Sequence, residues 1–214
     1  MEDNLVFTEK VEEHNSKTWS FYFSQPLDEV SWWFRFTIYL PFAFMGMKLI
    51  FSPLSEELIQ SFFHNINLPI HEAGHVLFAF MPPLIVSFMG TGMQLLIPLI
   101  ATLTLFFQTK DYFGSSIALW WFGQNFLDIA PYIDDARRGV LPLVGGNTGQ
   151  TSPYGFHDWE FILGETHLIT ADHTIAMISF VIGKVIIGSA LLYGGILLYN
   201  SRRNGFVGMG KYSE

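Results

Sequence analysis

"LIVSFMGTGMQLLIPLIATLTLFF", residues 84 to 107, holds no charged side chain. About 20 predominantly apolar residues suffice to cross a bilayer, so this stretch predicts a membrane-spanning helix with a Gly-Thr-Gly interruption at 90 to 92. Four further segments read the same way. "WWFRFTIYLPFAFMGMKLIF" at 32 to 51 sets Trp32 and Trp33 at one end, where amphipathic rings suit the headgroup level, and Pro41 is a place for a kink. A second runs from about Leu58 to Phe80 and is stopped by Pro82 and Pro83. "YFGSSIALWWFGQNFLDIAPYI" at 112 to 133 is apolar early and polar late. "TIAMISFVIGKVIIGSALLYGGILLY" at 174 to 199 is long and glycine-rich, with small residues that admit close helix neighbours. The expected fold is an all-α polytopic membrane protein of about five transmembrane helices, with an irregular loop of about 40 residues between the last two.

Composition agrees. Half the residues are hydrophobic and 14% are charged, where a soluble domain is roughly a quarter charged; mean hydropathy is +0.33. That implies membrane lipid as the surrounding partner. The net charge of -8 and the scattered Lys and Arg leave no basic footprint, which excludes nucleic acid. With no cysteine in the chain, any metal must be held by His, Asp or Glu. Residues 1–31 read as an extramembrane N-terminal arm, 32–200 as a single membrane-embedded domain with its loop at 134–172, and 201–214 as a C-terminal tail. The arm is acidic and mixed, unlike a secretory signal, so the first hydrophobic helix is expected to direct insertion. Arg202, Arg203 and Lys211 favour a cytoplasmic C-terminus; Arg137 and Arg138 in the loop pull the other way.

"NLPIHEAGHV", residues 67 to 76, puts two histidines and a glutamate in apolar surroundings. Residues four apart on a helix share a face, so His71 and His75 can converge on one ion. Glu72, about a third of a turn round, reaches a water there rather than the ion. This is the arrangement of a zinc hydrolase: two histidine ligands and a carboxylate as general base. Ionisable residues in a membrane helix cost about 2.5 to 3.5 kcal/mol each on the insertion scale and mark function. The alternative is a polar helix end, with the histidines bonded to backbone or other helices and Glu72 in an ion pair.

A catalytic zinc needs a third protein ligand and one open position. "QNFLDIAPYIDDAR" offers Asn125, Asp128, Asp134 and Asp135; "HDW" offers His157 and Asp158. Asp128, flanked by apolar residues, needs either a metal or a partner such as Arg137 or Arg138. Only one of the adjacent Asp134 and Asp135 can serve the same ion. His157 is equally a ligand or an ordinary loop histidine. His64 precedes His71 by seven residues, but Pro69 is expected to disturb that register, making His64 a surface or interface residue. Glu165, His167 and His173 read as solvated. "HDWEFILGETHLI" reads as a short surface helix opened by Asp158 and Trp159.

"HEAGHVLFAF" on a membrane helix, then "MGTGMQLLIPLI", then a helix end bearing Asn and Asp, resembles the intramembrane zinc metalloproteases of the site-2 protease class. "APYIDDA…LPLVGG…HDWEFIL" is similar to a peripheral, uncharacterised bacterial group at the edge of that class. The resemblance covers about residues 58 to 170. It implies His71 and His75 as zinc ligands, Glu72 as base, an Asp of the fourth segment, Asp128 or Asp135, as third ligand, and a multi-pass home in the bacterial inner membrane. The class presents that Asp in a Leu-Asp-Gly turn, whereas this chain has "FLDIAP" and "YIDDAR", so His157 is a rival ligand. The leading expectation is a membrane zinc peptidase acting on a membrane-protein substrate. The alternative is a non-catalytic subunit with a closed, structural zinc site, docked on partner subunits through its aromatic arm. A transporter is a third reading, weakened by the lack of half-chain symmetry.

Overall fold

Asp28 opens the first helix: its carboxylate accepts from Ser31 N at 2.9 Å and Ser31 Oγ at 2.6 Å, capping donors that the helix itself leaves unpaired. The computed structural model describes Tyr22, Phe23 and residues 27 to 205, so the rest of the N-terminal arm and Lys211 in the tail lie outside the described residues. Helix α1 spans Glu29–Phe51 and continues through Pro41. After a single tight turn at Glu56–Gln60, Ser61 caps α2, Phe62–Leu77, by accepting from His64 N at 3.2 Å. Pro83 begins α3, Pro83–Leu103, at the position where its missing N–H has no helical partner to lose. A wider turn at Thr104–Gln108 ends that rod. Asp111 caps α4, Tyr112–Asp134. The irregular stretch that follows carries α5, Asp158–Glu165, and the chain closes with α6, Asp172–Arg203. Among the described residues extended pairing is confined to one isolated bridge, Pro142 with Thr148.

The protein is all-helical, and three rods are long and apolar enough to cross a membrane: Glu29–Phe51, Pro83–Gln108 and Ile169–Arg203. The other two expected spans differ in instructive ways. Helix α2 has 16 residues, about 24 Å at 1.5 Å per residue, short of a bilayer core of about 30 Å. Helix α4 has 23 residues but is walled by protein rather than exposed, and its buried side chains include Gln124, Asn125 and Asp128. Two expected breaks do not occur. Helix α3 runs unbroken through Gly90, Thr91 and Gly92, and α2 runs through Pro69. His64 and His71 therefore share one face two turns apart.

Helices α4 and α6 form the central pair. A Cβ on Gly183 would stand 2.7 Å from Gly123 O and overlap the Leu127 side chain, so glycine sets how closely these backbones approach. Trp120, fully buried, packs against Phe42 of α1 and Phe63 of α2, each with ring centroids 5.0 Å away. At one end Trp32 Nε1 donates to Leu198 O at 2.9 Å beneath the Arg202 guanidinium, 4.8 Å from the ring. Towards the other, Lys184 Nζ donates to Ser52 O at 2.8 Å. Helices α2 and α3 pair as a hairpin that rests on this core.

Candidate metal centre

His71 and His75 leave the same face of α2, and Gly74 between them lets that face press on α3, where a Cβ would overlap Met89 O. His71 Nε2 lies 2.9 Å and His75 Nε2 3.1 Å from the same atom, Asp158 Oδ2. The three ligand atoms lie within 4.8 Å of one another. The opposite ring nitrogens are held: His75 Nδ1 meets Val86 O at 2.9 Å, and His71 Nδ1 meets Gln94 Oε1 at 3.1 Å. Both of those oxygens only accept, so each Nδ1 carries a hydrogen; each Nε2 then faces Asp158 Oδ2 either with a lone pair, where a metal ion lies between them, or as a second N–H donor to the carboxylate. Burial pushes the Asp158 carboxyl up, but hydrogen bonds and positive charge from the His71 and His75 rings, when these are protonated, outweigh it and hold it below the usual carboxylate range.

With lone pairs on both rings, three acceptor atoms would meet at one point, and positive charge there would satisfy them. Protons on both rings would set two cations side by side, edge to face, with centroids 4.8 Å apart. One metal ion would satisfy all three groups. On a tetrahedral ion with bonds of about 2.0 to 2.1 Å the ligand atoms stand about 3.3 Å apart, close to the spacings here. The cradle is also kept clear: a Cβ on Gly90 would sit 2.5 Å from His75 Nε2 and 2.6 Å from His71 Nε2.

Glu72 lines the same cavity of about 500 Å³ as this cluster, and among the described residues no hydrogen bond or ion pair occupies its carboxylate. The remaining walls are largely apolar, with Leu68, Ile129, Val144, Phe156 and Trp159 prominent.

Other candidates stand apart from the cluster. Asp128, 2% exposed, accepts from Gln94 Nε2 at 2.9 Å, Asn67 Nδ2 at 3.0 Å and His64 Nδ1 at 3.1 Å. Arg137 pairs with Asp172 instead, and Arg138 with Glu56 and Asp135. Asp135 is fully buried and accepts from Val140 N at 3.2 Å and Leu141 N at 2.9 Å. His157 caps α5, its Nδ1 accepting from Glu160 N at 3.2 Å, while its Nε2 faces Asp135 at 3.6 Å, beyond hydrogen-bond reach. Asp134 meets His173 at 2.6 Å, and Asn125 bonds to Trp121 O. His64 lines the cavity on the side of Asp128.

Three contributors were not singled out from sequence: Gln94, Asn67 and Gly90. Gln94 had a legible signal, being the sole amide side chain in the stretch 84 to 107. Asn67 also had one, standing three residues after His64 and four before His71 on one helix face. Gly90 had none, since its closeness to the rings exists only once α2 and α3 are paired. The chain matches no protein-family model, no curated protein and no solved structure.

Proposed function

We propose that this chain is a multi-pass membrane zinc hydrolase, a peptidase that cuts bonds within or beside the membrane segments of other proteins. The observation that supports it is the convergence of His71 Nε2, His75 Nε2 and Asp158 Oδ2 on one point, in a cavity shared with the uncommitted carboxylate of Glu72. A zinc ion there supplies Lewis acidity toward a carbonyl and a water. Glu72 would take the proton of the attacking water as that water's oxygen bonds to the carbonyl carbon, and hand it to the amine nitrogen as the C–N bond breaks. Val86 O and Gln94 Oε1 keep the two rings aimed, and the apolar walls receive the side chains of a hydrophobic peptide. Three protein ligands leave a coordination position open, as catalysis needs, whereas structural zinc is closed by four.

In this reading α2 and α4 join α1, α3 and α6 as five crossings of a bacterial inner membrane, with Arg202 and Arg203 on the cytoplasmic side. The test uses the full chain in detergent. Wild type and Glu72→Gln should each hold about one zinc, both losing it on His71→Ala, and Glu72→Gln should cut hydrolysis of apolar fluorogenic peptides by at least about 10²-fold. Activity that survives Glu72→Gln would sink the catalytic reading.

A further inference from the structure

We infer that Asp128 is a positioning residue for this centre: acting through the Gln94 amide, it dictates which ring nitrogen of His71 carries the proton. The inference rests on the metal reading only for its consequence on zinc binding.

Gln94 is 4% exposed and lies between two groups. On one side its Nε2 is 2.9 Å from Asp128 Oδ2; on the other its Oε1 is 3.1 Å from His71 Nδ1. An amide is nearly symmetric in shape, so packing alone scarcely distinguishes its two orientations. Their effects are opposite. With Oε1 toward the ring, His71 holds its hydrogen on Nδ1 and offers Nε2 to an ion. With the amide turned over, its N–H would face Nδ1, the hydrogen would move to Nε2, and that hydrogen would point into the cradle at Asp158. The choice is made by Asp128, because a carboxylate only accepts hydrogen bonds and so demands the NH₂ end.

The surroundings of Asp128 are built in the same way. Trp121 Nε1 can only donate, and it occupies Asn67 Oδ1 at 2.9 Å. This turns Asn67 Nδ2 toward Asp128 at 3.0 Å and toward Gln124 Oε1 at 2.9 Å. His64 Nδ1 adds a further contact at 3.1 Å. Every partner of Asp128 is thus a donor, drawn from α2 and α3, and the carboxylate is the fixed acceptor from which the orientation of Gln94, and then of His71, is derived. A role limited to fastening α2 and α3 onto α4 would not involve the His71 proton, which provides the discriminating readout.

The experiment takes the full chain in detergent, labelled with ¹⁵N-histidine and free of metal, and reads the His71 tautomer from its ring nitrogen shifts, assigned by comparison with His71→Gln. Wild type should show hydrogen on Nδ1. Asp128→Asn can donate to a turned Gln94, so His71 should shift predominantly to the Nε2–H form. Gln94→Met, which removes the amide and spares Asp128, should give a mixture of tautomers. Titration with zinc alone against a chromophoric chelator should show affinity about 10- to 100-fold weaker in both variants. A wild type whose His71 Nδ1 carries no hydrogen, or variants whose Nδ1 stays protonated as in wild type, overturn the inference. If Asp128→Asn loses its near-ultraviolet dichroism through misfolding, Gln94→Met decides alone. A wild type that binds no zinc refutes the metal reading, while the tautomer still tests Asp128.

Discussion

Gly90 is the residue at which the centre tolerates least change. Its missing side chain leaves the space that two ring nitrogens face at 2.5 and 2.6 Å from where a Cβ would stand, so Gly90→Ala puts a methyl group where the proposed ion would sit. The helix itself should be unharmed, since alanine is the better helix former by about 1 kcal/mol. The expected outcome is a folded chain with unchanged far-ultraviolet dichroism and no zinc by elemental mass spectrometry; one zinc per chain in Gly90→Ala would place the centre elsewhere. At this scale the sequence was readable where chemistry is local. His71, Glu72 and His75 sit within one turn and a half of helix, so their spacing alone aligns them. The partner carboxylate was not separable from its neighbours, because Asp128, Asp134, Asp135 and Asp158 differ by where the loop returns to α2, a property of tertiary packing.

At the scale of elements, the stretch from Asp135 to His157 delivers Asp158. Asp135 ties two loop N–H groups, and His157 caps α5, so the adjacent Asp158 is turned toward α2. "HDW" was legible as chemically important, but the division of labour within it depends on which residue occupies the capping position. Replacing Asp135 by Ala strands the buried Leu141 donor, at about 1 to 3 kcal/mol, frees the half-exposed Val140 N–H, and should loosen the loop without touching the helices. Limited trypsin digestion after Arg137 or Arg138 should accelerate in Asp135→Ala, with zinc binding weakened and helix content preserved; unchanged cleavage would show that the loop is held by other contacts. The unbroken α2 and α3 carry the complementary lesson. Pro69 and the Gly90–Gly92 run lower local helix propensity, and the pairing of α2 with α3 overrides them.

For the whole molecule, two ties mark levels along the long axis: Arg202 over Trp32 and Lys184 on Ser52. On α6 they are 18 residues apart (202 − 184), about 27 Å of helix, and on α1 they are 20 apart (52 − 32), about 30 Å, both matching the hydrocarbon thickness. Because the chain has no cysteine, single cysteines can check this without background. Glu56→Cys, beyond Ser52, should react with a water-soluble maleimide in membrane fragments that expose both faces to the reagent. Leu192→Cys, exposed at 67% between the two levels, should not; labelling at Leu192 would show water where lipid is expected. The separation of the ligands along the chain has a consequence in time. Asp158 follows His75 by 83 residues (158 − 75), and at about 5 to 20 residues per second a ribosome needs about 4 to 17 s to cover that interval. Throughout it the nascent chain carries a two-histidine half-site, so the centre is assembled only after most of the helices that surround it have been made.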